Sequence, residues 1–334
     1  MYNFTLHVKV LTLNIRLPAE WEQQKSIMLV FPTNQKDWQH SIKEVQETYV
    51  AFINAIREFQ KCVVICSDKK ILDAFFDSFE NIEVFEYQTN DTWMRDFGAI
   101  DFLQNNQIKS YNFKFNAWGD KFDASLDDKF NSVFFKENIV DIDFILEGGS
   151  IDSNGEGVLL TTSTCIHNEN RNHTYTKKQI LKKLKKLFGL KEVILLEHGG
   201  LIGDDTDSHV DTLARFINKD TIVYAKCYDV NDIHFEELNK MEQELQKTNF
   251  HLVPLPLPNA KYFEKQRLPA TYLNFVFLNG ALIVPTYNDV NDEITIKILK
   301  NHIKNRKVIT IDATILIREH GSLHCSCINK MLPL

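Results

Sequence analysis

Apolar residues recur along this chain with two spacings, near 2 and near 3.6 residues, and stretches of the two kinds take turns from end to end. The first fifteen residues alternate: Phe4, Leu6, Val8, Val10, Leu11, Leu13 and Ile15 are separated mostly by polar or basic residues. That predicts a strand or an N-terminal extension, too short and too polar to span a membrane. Apolar runs at 27–31, 62–66, 82–87, 158–162, 193–196, 221–227 and 308–311 predict further strands, and 313–317 predicts a last one. Ser41-Ile42-Lys43-Glu44 reads as a capping box opening a helix to about residue 60, with Val45, Tyr49, Phe52, Ile53 and Ile56 on one face. Thr176-Lys177-Lys178-Gln179 opens another to about residue 188. Its stripe is Ile180, Leu181, Leu184, Leu187 and Phe188, and its lysines form a solvated face. Helices are also expected at about 70–79, 231–248 and 291–303, and a hairpin at 274–284 around Asn279-Gly280. The fold class is therefore α/β.

Composition narrows this little. The chain has 334 residues, 44% hydrophobic and 25% charged, enough for one large domain or two of moderate size. Pro254, Pro256 and Pro258 suggest a linker, yet the same alternation continues on both sides, so 16–334 reads as one domain after an extension at 1–15. A net charge of −7 argues against a nucleic-acid surface and mildly favours a cationic ligand. None of the six cysteines forms a CxxC pair or a zinc-type Cys/His spacing. With neither a secretory signal nor a disulfide framework, a cytoplasmic location is expected.

Four stretches interrupt the apolar pattern with reactive residues. Gly321-Ser322-Leu323-His324-Cys325 ends a turn on a thiol, which fits a nucleophile as well as an inert core cysteine. Asn90-Asp91-Thr92-Trp93-Met94-Arg95-Asp96-Phe97-Gly98 places charges in a strand-rich region; in period 2, Arg95 and Asp96 face opposite sides, as a pocket floor or a surface ion pair. Leu146-Glu147-Gly148-Gly149 ends an apolar run on a carboxylate, either functional or at the rim of a turn. In Gly203-Asp204-Asp205-Thr206-Asp207-Ser208-His209-Val210-Asp211, His209 and Asp211 share a face if the segment is extended, an acid to bind a cation beside an imidazole that moves protons near neutrality. Zinc is the rival, but no further His or Cys stands at ligand spacing near His209. Three echoes, Leu146-Glu147-Gly148-Gly149, Glu197-His198-Gly199-Gly200 and Glu319-His320-Gly321-Ser322, hint at repeated β/α units converging on one centre.

Together with Leu17-Pro18-Ala19-Glu20-Trp21, Asn170-Arg171-Asn172 and Tyr272-Leu273-Asn274-Phe275, these stretches resemble, in order, the agmatine deiminase branch of the guanidino-group-modifying enzymes. The resemblance covers nearly all of the chain after residue 15. It implies a five-bladed α/β propeller, or pentein, of pseudo-fivefold ββαβ-type repeats. It also implies hydrolysis of the guanidinium of agmatine to N-carbamoylputrescine and ammonia, a step of putrescine biosynthesis. By the same resemblance, Cys325 is the nucleophile and not Cys327, since the family's nucleophile follows the histidine matched by His324. Asp96 and Asp211 grip the guanidinium, His209 transfers protons, and Glu147 orients His209. Trp93 and Trp118 would wall the aliphatic chain. No metal or other cofactor is implied; the partner is a small cationic guanidino substrate, with no nucleic acid and no membrane, and a homodimer is possible. Two departures, Ala99 where the family often has proline and Ser322 where it often has glycine, touch turn geometry more than reacting groups. Arginine deiminase, peptidylarginine deiminase, an amidinotransferase and a non-catalytic pentein binding protein are the alternatives.

Overall fold

The computed structural model describes residues 14–33 and 35–333. One motif recurs through them: an antiparallel hairpin, a helix, and a third strand parallel to the second strand of the hairpin. It appears first as Ile100–Gln104, Gln107–Lys114, helix Asp127–Phe135 and Val140–Ile145. It recurs as Ile151–Ser153, Val158–Thr162, helix Lys177–Phe188 and Glu192–Leu196. A third copy is Ala214–Asn218, Thr221–Lys226, helix Phe235–Leu245 and His251–Pro256. A fourth is Val276–Leu278, Ala281–Thr286, helix Val290–His302 and Lys307–Asp312. The fifth joins the two ends of the chain. C-terminal Cys327–Met331 pairs antiparallel with Gln24–Val30, followed by helix Ile42–Arg57 and parallel Lys61–Cys66, with Ile82–Glu86 added outside. The parallel pairs need a helical crossover, and in each unit the apolar stripe of that helix supplies its cover. In the fifth unit the stripe is Val45, Tyr49, Phe52, Ile53 and Ile56, all buried.

Several local expectations are corrected. The capping box at Ser41 does not form: Ser41 makes no side-chain cap bond, and Glu44 pairs with Arg318 at 3.1 Å. The box at Thr176 does form. The helix expected at 70–79 is only a 3-10 segment, Lys69–Ala74, and the expected last strand at 313–317 gives way to a 3-10 turn, Leu316–Glu319. The helix expected to open at 231 begins at Phe235, because the Asp232 carboxylate turns to Arg267 and to the backbone N–H of His234. Pro254 and Pro256 lie in an edge strand, where alternate N–H groups have no ladder partner to lose, and mark no linker. The hairpin at Ile100–Lys114, turned by Asn105 and Asn106 in left-handed conformation, and the helix Asp127–Phe135 carry weak sequence signals and were not anticipated. The alternating stretch 1–13 lies outside the described residues; Ile15–Arg16 is a short strand against Leu103 and Gln104. Among the described residues no helix is long and apolar enough to cross a membrane.

Candidate active site

The units have a second regularity. Each delivers a polar or reactive residue from the turn two to four residues ahead of its first strand. Asp96 precedes Ile100, Glu147 precedes Ile151, and Asp211 precedes Ala214. Asn274 precedes Val276, and Cys325 precedes Cys327. The three short echoes do not share this register: Glu147 stands four residues before its strand, Glu197 seventeen before Ala214 and Glu319 eight before Cys327. The turns are tightly built: a Cβ on Gly149 would lie 2.6 Å from His209 Nδ1, and one on Gly321 would lie 2.3 Å from the ring of Trp93. Glycine is required at both for close approach.

Two backbone expectations change. Arg95 and Asp96 lie in a helical turn, Met94–Phe97, and not in a strand; they still diverge. The Arg95 guanidinium points to Glu20 Oε1 (2.8 Å) and Asn329 Oδ1 (2.7 Å), and Asp96 faces the cleft. His209 caps a 3-10 turn, Val210–Thr212, and Asp211 lies within it, so the two are not on one strand face. Cys325 ends a turn and lines the cleft, while Cys327 opens a strand and has no exposed surface.

The cleft encloses about 700 Å³ of space, partly open to solvent, and Cys325, His209, Asp96, Trp93 and Trp118 all line it. Asp96 Oδ2 accepts from Trp118 Nε1 and its Oδ1 from the backbone N–H of Gly149, both at 2.9 Å. Trp118 sits at φ 56° in a left-handed turn with Ala117, Gly119 and Asp120, a conformation costing non-glycine residues about 1–2 kcal/mol each. Burial, with Asp211 and Glu147 nearby, raises the Asp96 carboxyl to about 6 against the opposing pull of His209. His209 Nε2 meets Glu147 Oε2 at 3.3 Å and its Nδ1 is 3.6 Å from Asp96 Oδ1. Burial disfavours the imidazolium, but Asp96, Cys165 and Glu147 outweigh it and hold His209 well above its ordinary range. Glu147 is fixed by Arg171, whose Nε donates to both carboxylate oxygens at 2.9 Å. Burial opposes its charge, yet His209 and Arg171 keep it below the usual carboxylate range.

Asp211 has no exposed surface. Its Oδ2 lies 2.7 Å from His324 Nδ1 and 4.0 Å from Cys325 Sγ, and its Oδ1 has no partner. Burial works against the Asp211 charge, but His324 outweighs it and lowers the carboxyl. The other nitrogen of His324 meets Glu20 Oε1 at 2.7 Å, and Glu20 also binds Arg95 and Arg215. Asn274 Oδ1 accepts from the backbone N–H groups of His324 (2.8 Å) and Cys325 (3.1 Å). Burial and the two aspartates push the Cys325 thiol well above its ordinary range.

Glu20, Arg171, Asn274 and His324 stand in stretches that carry the family resemblance, but no local pattern gave them a role. Their partners lie far off in sequence, 304 positions in the case of Glu20 and His324. The acidic loop divides. Asp204 and Asp205 line the cleft, while Asp207 is bound to Arg171 at 2.7 Å and Lys121 at 3.1 Å. Asp91 and Glu319 join the lining from other segments.

This arrangement, a buried thiol and imidazole among carboxylates at the turns of repeated ββαβ units, is that of proteins that modify guanidinium groups. The sequence pattern of the Porphyromonas-type peptidyl-arginine deiminase family matches residues 16–330, and the chain belongs to that family. It is similar to a substrate-bound cysteine-to-serine variant of agmatine deiminase from C. jejuni, at 48% identity, TM-score 0.94 and full coverage of both chains. It also resembles the agmatine deiminase of Enterococcus faecalis, at 25% identity and TM-score 0.88 over 96% of each chain. In fold alone it resembles a dimethylarginine dimethylaminohydrolase, at 14% identity and TM-score 0.53 over 92% of this chain and 100% of the other.

Proposed function

We propose that this protein is an agmatine deiminase, hydrolysing the guanidinium of agmatine to N-carbamoylputrescine and ammonia through a thiouronium formed on Cys325. The observation that carries this reading is an unsatisfied buried carboxylate oxygen, Asp211 Oδ1, on a side chain whose other oxygen lies 4.0 Å from the Cys325 sulfur. Buried polar atoms are rarely left without partners. Here the unpaired oxygen lies beside a cleft lined by Cys325 and Asp96, where a planar guanidinium offers paired N–H donors to carboxylates.

The chemistry follows from the charges. Between Asp96 and Asp211 the Cys325 thiol is held protonated by burial and like charge. A guanidinium bound by both aspartates brings in the opposite charge and removes that opposition, so the thiol gives up its proton to solvent through the open cleft and the thiolate forms where its target already lies. Sulfur attacks the guanidinium carbon, and the C–N bond to one terminal nitrogen breaks as His209 protonates it to ammonia. His209 then takes a proton from the water that displaces sulfur, returning the thiol and leaving the ureido product. Glu147, itself fixed by Arg171, holds the imidazole ring in place. The five units, closed by the pairing of the two chain ends, are inferred to stand as blades round one axis, with these turns at one end of it.

Agmatine is favoured at the far end of the cleft. Asp91, Asp205 and Glu319 gather there with no lysine or arginine among the lining residues. Burial first, and repulsion from neighbouring acids second, raises Asp91 well above the usual carboxylate range and Glu319 to about 7. A distal ammonium relieves that repulsion, and an α-carboxylate adds to it. Arg95 is turned to Glu20 and Arg318 to Glu44, so neither is placed to hold such a carboxylate. The test is ammonia release from agmatine, free arginine and a peptidyl-arginine in parallel. Agmatine is expected to lead by at least about a hundredfold in kcat/KM, the size of effect that an unmatched buried charge produces. Equal turnover of free or peptidyl arginine would refute agmatine as the substrate and leave the deiminase chemistry standing. Turnover is also expected to survive exhaustive chelation; loss with EDTA and recovery with zinc would instead indicate a hydrolytic metal site.

A further inference from the structure

Cys165 is a second buried thiol at the catalytic centre, and the deimination chemistry leaves it unused. It lies in the short helical turn Ser163–Ile166 that follows the strand Val158–Thr162. Its Sγ is 3.5 Å from Glu147 Oε2, which is itself 3.3 Å from His209 Nε2. One ligand atom each from Glu147, Cys165 and His209 lies within 4.8 Å of the others, and all three residues are buried. Sequence spacing gave no zinc ligand near His209; the fold brings one from 44 positions earlier, the separation of 165 and 209.

We propose that Glu147, Cys165 and His209 form an inhibitory site for a thiophilic divalent ion, zinc in the first instance, with three protein ligands and one open position. Bond lengths of about 2.0–2.3 Å in tetrahedral geometry set neighbouring ligand atoms about 3.3–3.7 Å apart. The Glu147–His209 and Glu147–Cys165 separations, 3.3 and 3.5 Å, fall in that range, and the third pair, Cys165 and His209, lies within 4.8 Å. The donor set, one thiolate, one imidazole and one carboxylate, is suited to zinc and unsuited to calcium or magnesium. Arg171 does not stand in the way. Its Nε bond leaves acceptor capacity on Glu147 Oε2, and it holds that carboxylate in place as an outer partner would.

The charge balance also closes. Zinc enters with two positive charges; Cys165 releases its thiol proton and the His209 imidazolium releases one of its two. Two positive charges arrive and two protons leave, so the buried centre keeps its net charge. Binding would take His209 and Glu147 out of the reaction at once, which makes the site a brake on turnover and not a source of it. That consequence rests on the deiminase reading; the metal site does not.

The two are separable by experiment. Cobalt(II) added to the Cys325→Ser protein is expected to give a sulfur-to-metal charge-transfer band, and the same band is expected to be missing from Cys165→Ser. The band present with Cys165→Ser and absent with Cys325→Ser, or absent from both, would overturn the proposal, whatever the enzyme's substrate. If Cys165→Ser does not fold, His209→Asn in the Cys325→Ser background replaces it, with the cobalt affinity expected to fall at least about tenfold. In the active protein, zinc is expected to inhibit reversibly, with the effect relieved by a chelator. The half-inhibiting concentration should fall steeply as pH rises, by up to about a hundredfold per unit while both protons are still bound. Inhibition independent of pH would contradict the proton release.

Discussion

Replacing Cys325 by serine is expected to remove turnover, by at least about four orders of magnitude, while Cys327→Ser keeps most of it. The two cysteines differ in surroundings and not in type. Cys325 lines the cleft, its N–H is held by Asn274, and its sulfur lies 4.0 Å from Asp211. Cys327 is enclosed in the strand pairing with Leu29, where burial pushes its thiol to about 12 and keeps it a packing residue. The measurement is steady-state ammonia release by both variants, with mass spectrometry of the wild-type protein under substrate to locate the adduct. An active Cys325→Ser protein, or an adduct on Cys327, would reverse the assignment.

The second large effect is expected at the two aspartates. Asp211→Asn and Asp96→Asn should each lower kcat/KM by about two to four orders of magnitude. Removing one member of a buried charge cluster costs about 3–5 kcal/mol, and each 1.36 kcal/mol is tenfold in rate. For Asp211 the loss extends to His324, which is left with a carboxylate on one side only. For Asp96 it extends to the indole N–H of Trp118. The wild-type pH profile provides an independent reading. The Asp96 carboxyl is raised to about 6 and must be ionised to hold a cation, so its binding form is present above that value. Accordingly kcat/KM should fall as pH drops through about 6. A merely tenfold loss in both variants, with no acid limb in the wild type, would show that these residues do not clamp the guanidinium.

Much of this protein was legible along the chain. Strands such as Val158–Thr162, with a run of apolar residues, and helices such as Lys177–Phe188, with its stripe and capping box, announce themselves because periodicity and caps are local properties. The candidate residues Asp96, Glu147, His209, Asp211 and Cys325 were also visible, since charged or reactive side chains that interrupt an apolar pattern are a local anomaly. What the local pattern misread is conformation within the turns. A period-2 reading set Arg95 against Asp96 and His209 beside Asp211, but short helical turns place them, since neither segment has a strand to pair with.

Tertiary structure alone decided which residues support the site. Nothing near Glu20 in sequence signals that it gathers His324, Arg95 and Arg215, and nothing near Cys165 signals His209. Nor could spacing tell Asp207, which is bound to Arg171, from Asp205, which lines the cleft. The physical reason is that a buried charge is stabilised by whichever opposite charge the fold brings within about 3 Å, and that distance is set by the docking of whole units against one another. Sequence by itself determined the repeating elements and the reactive residues at their ends. Their common meeting point, and the partners that fix their charge there, exist only once the five units are assembled.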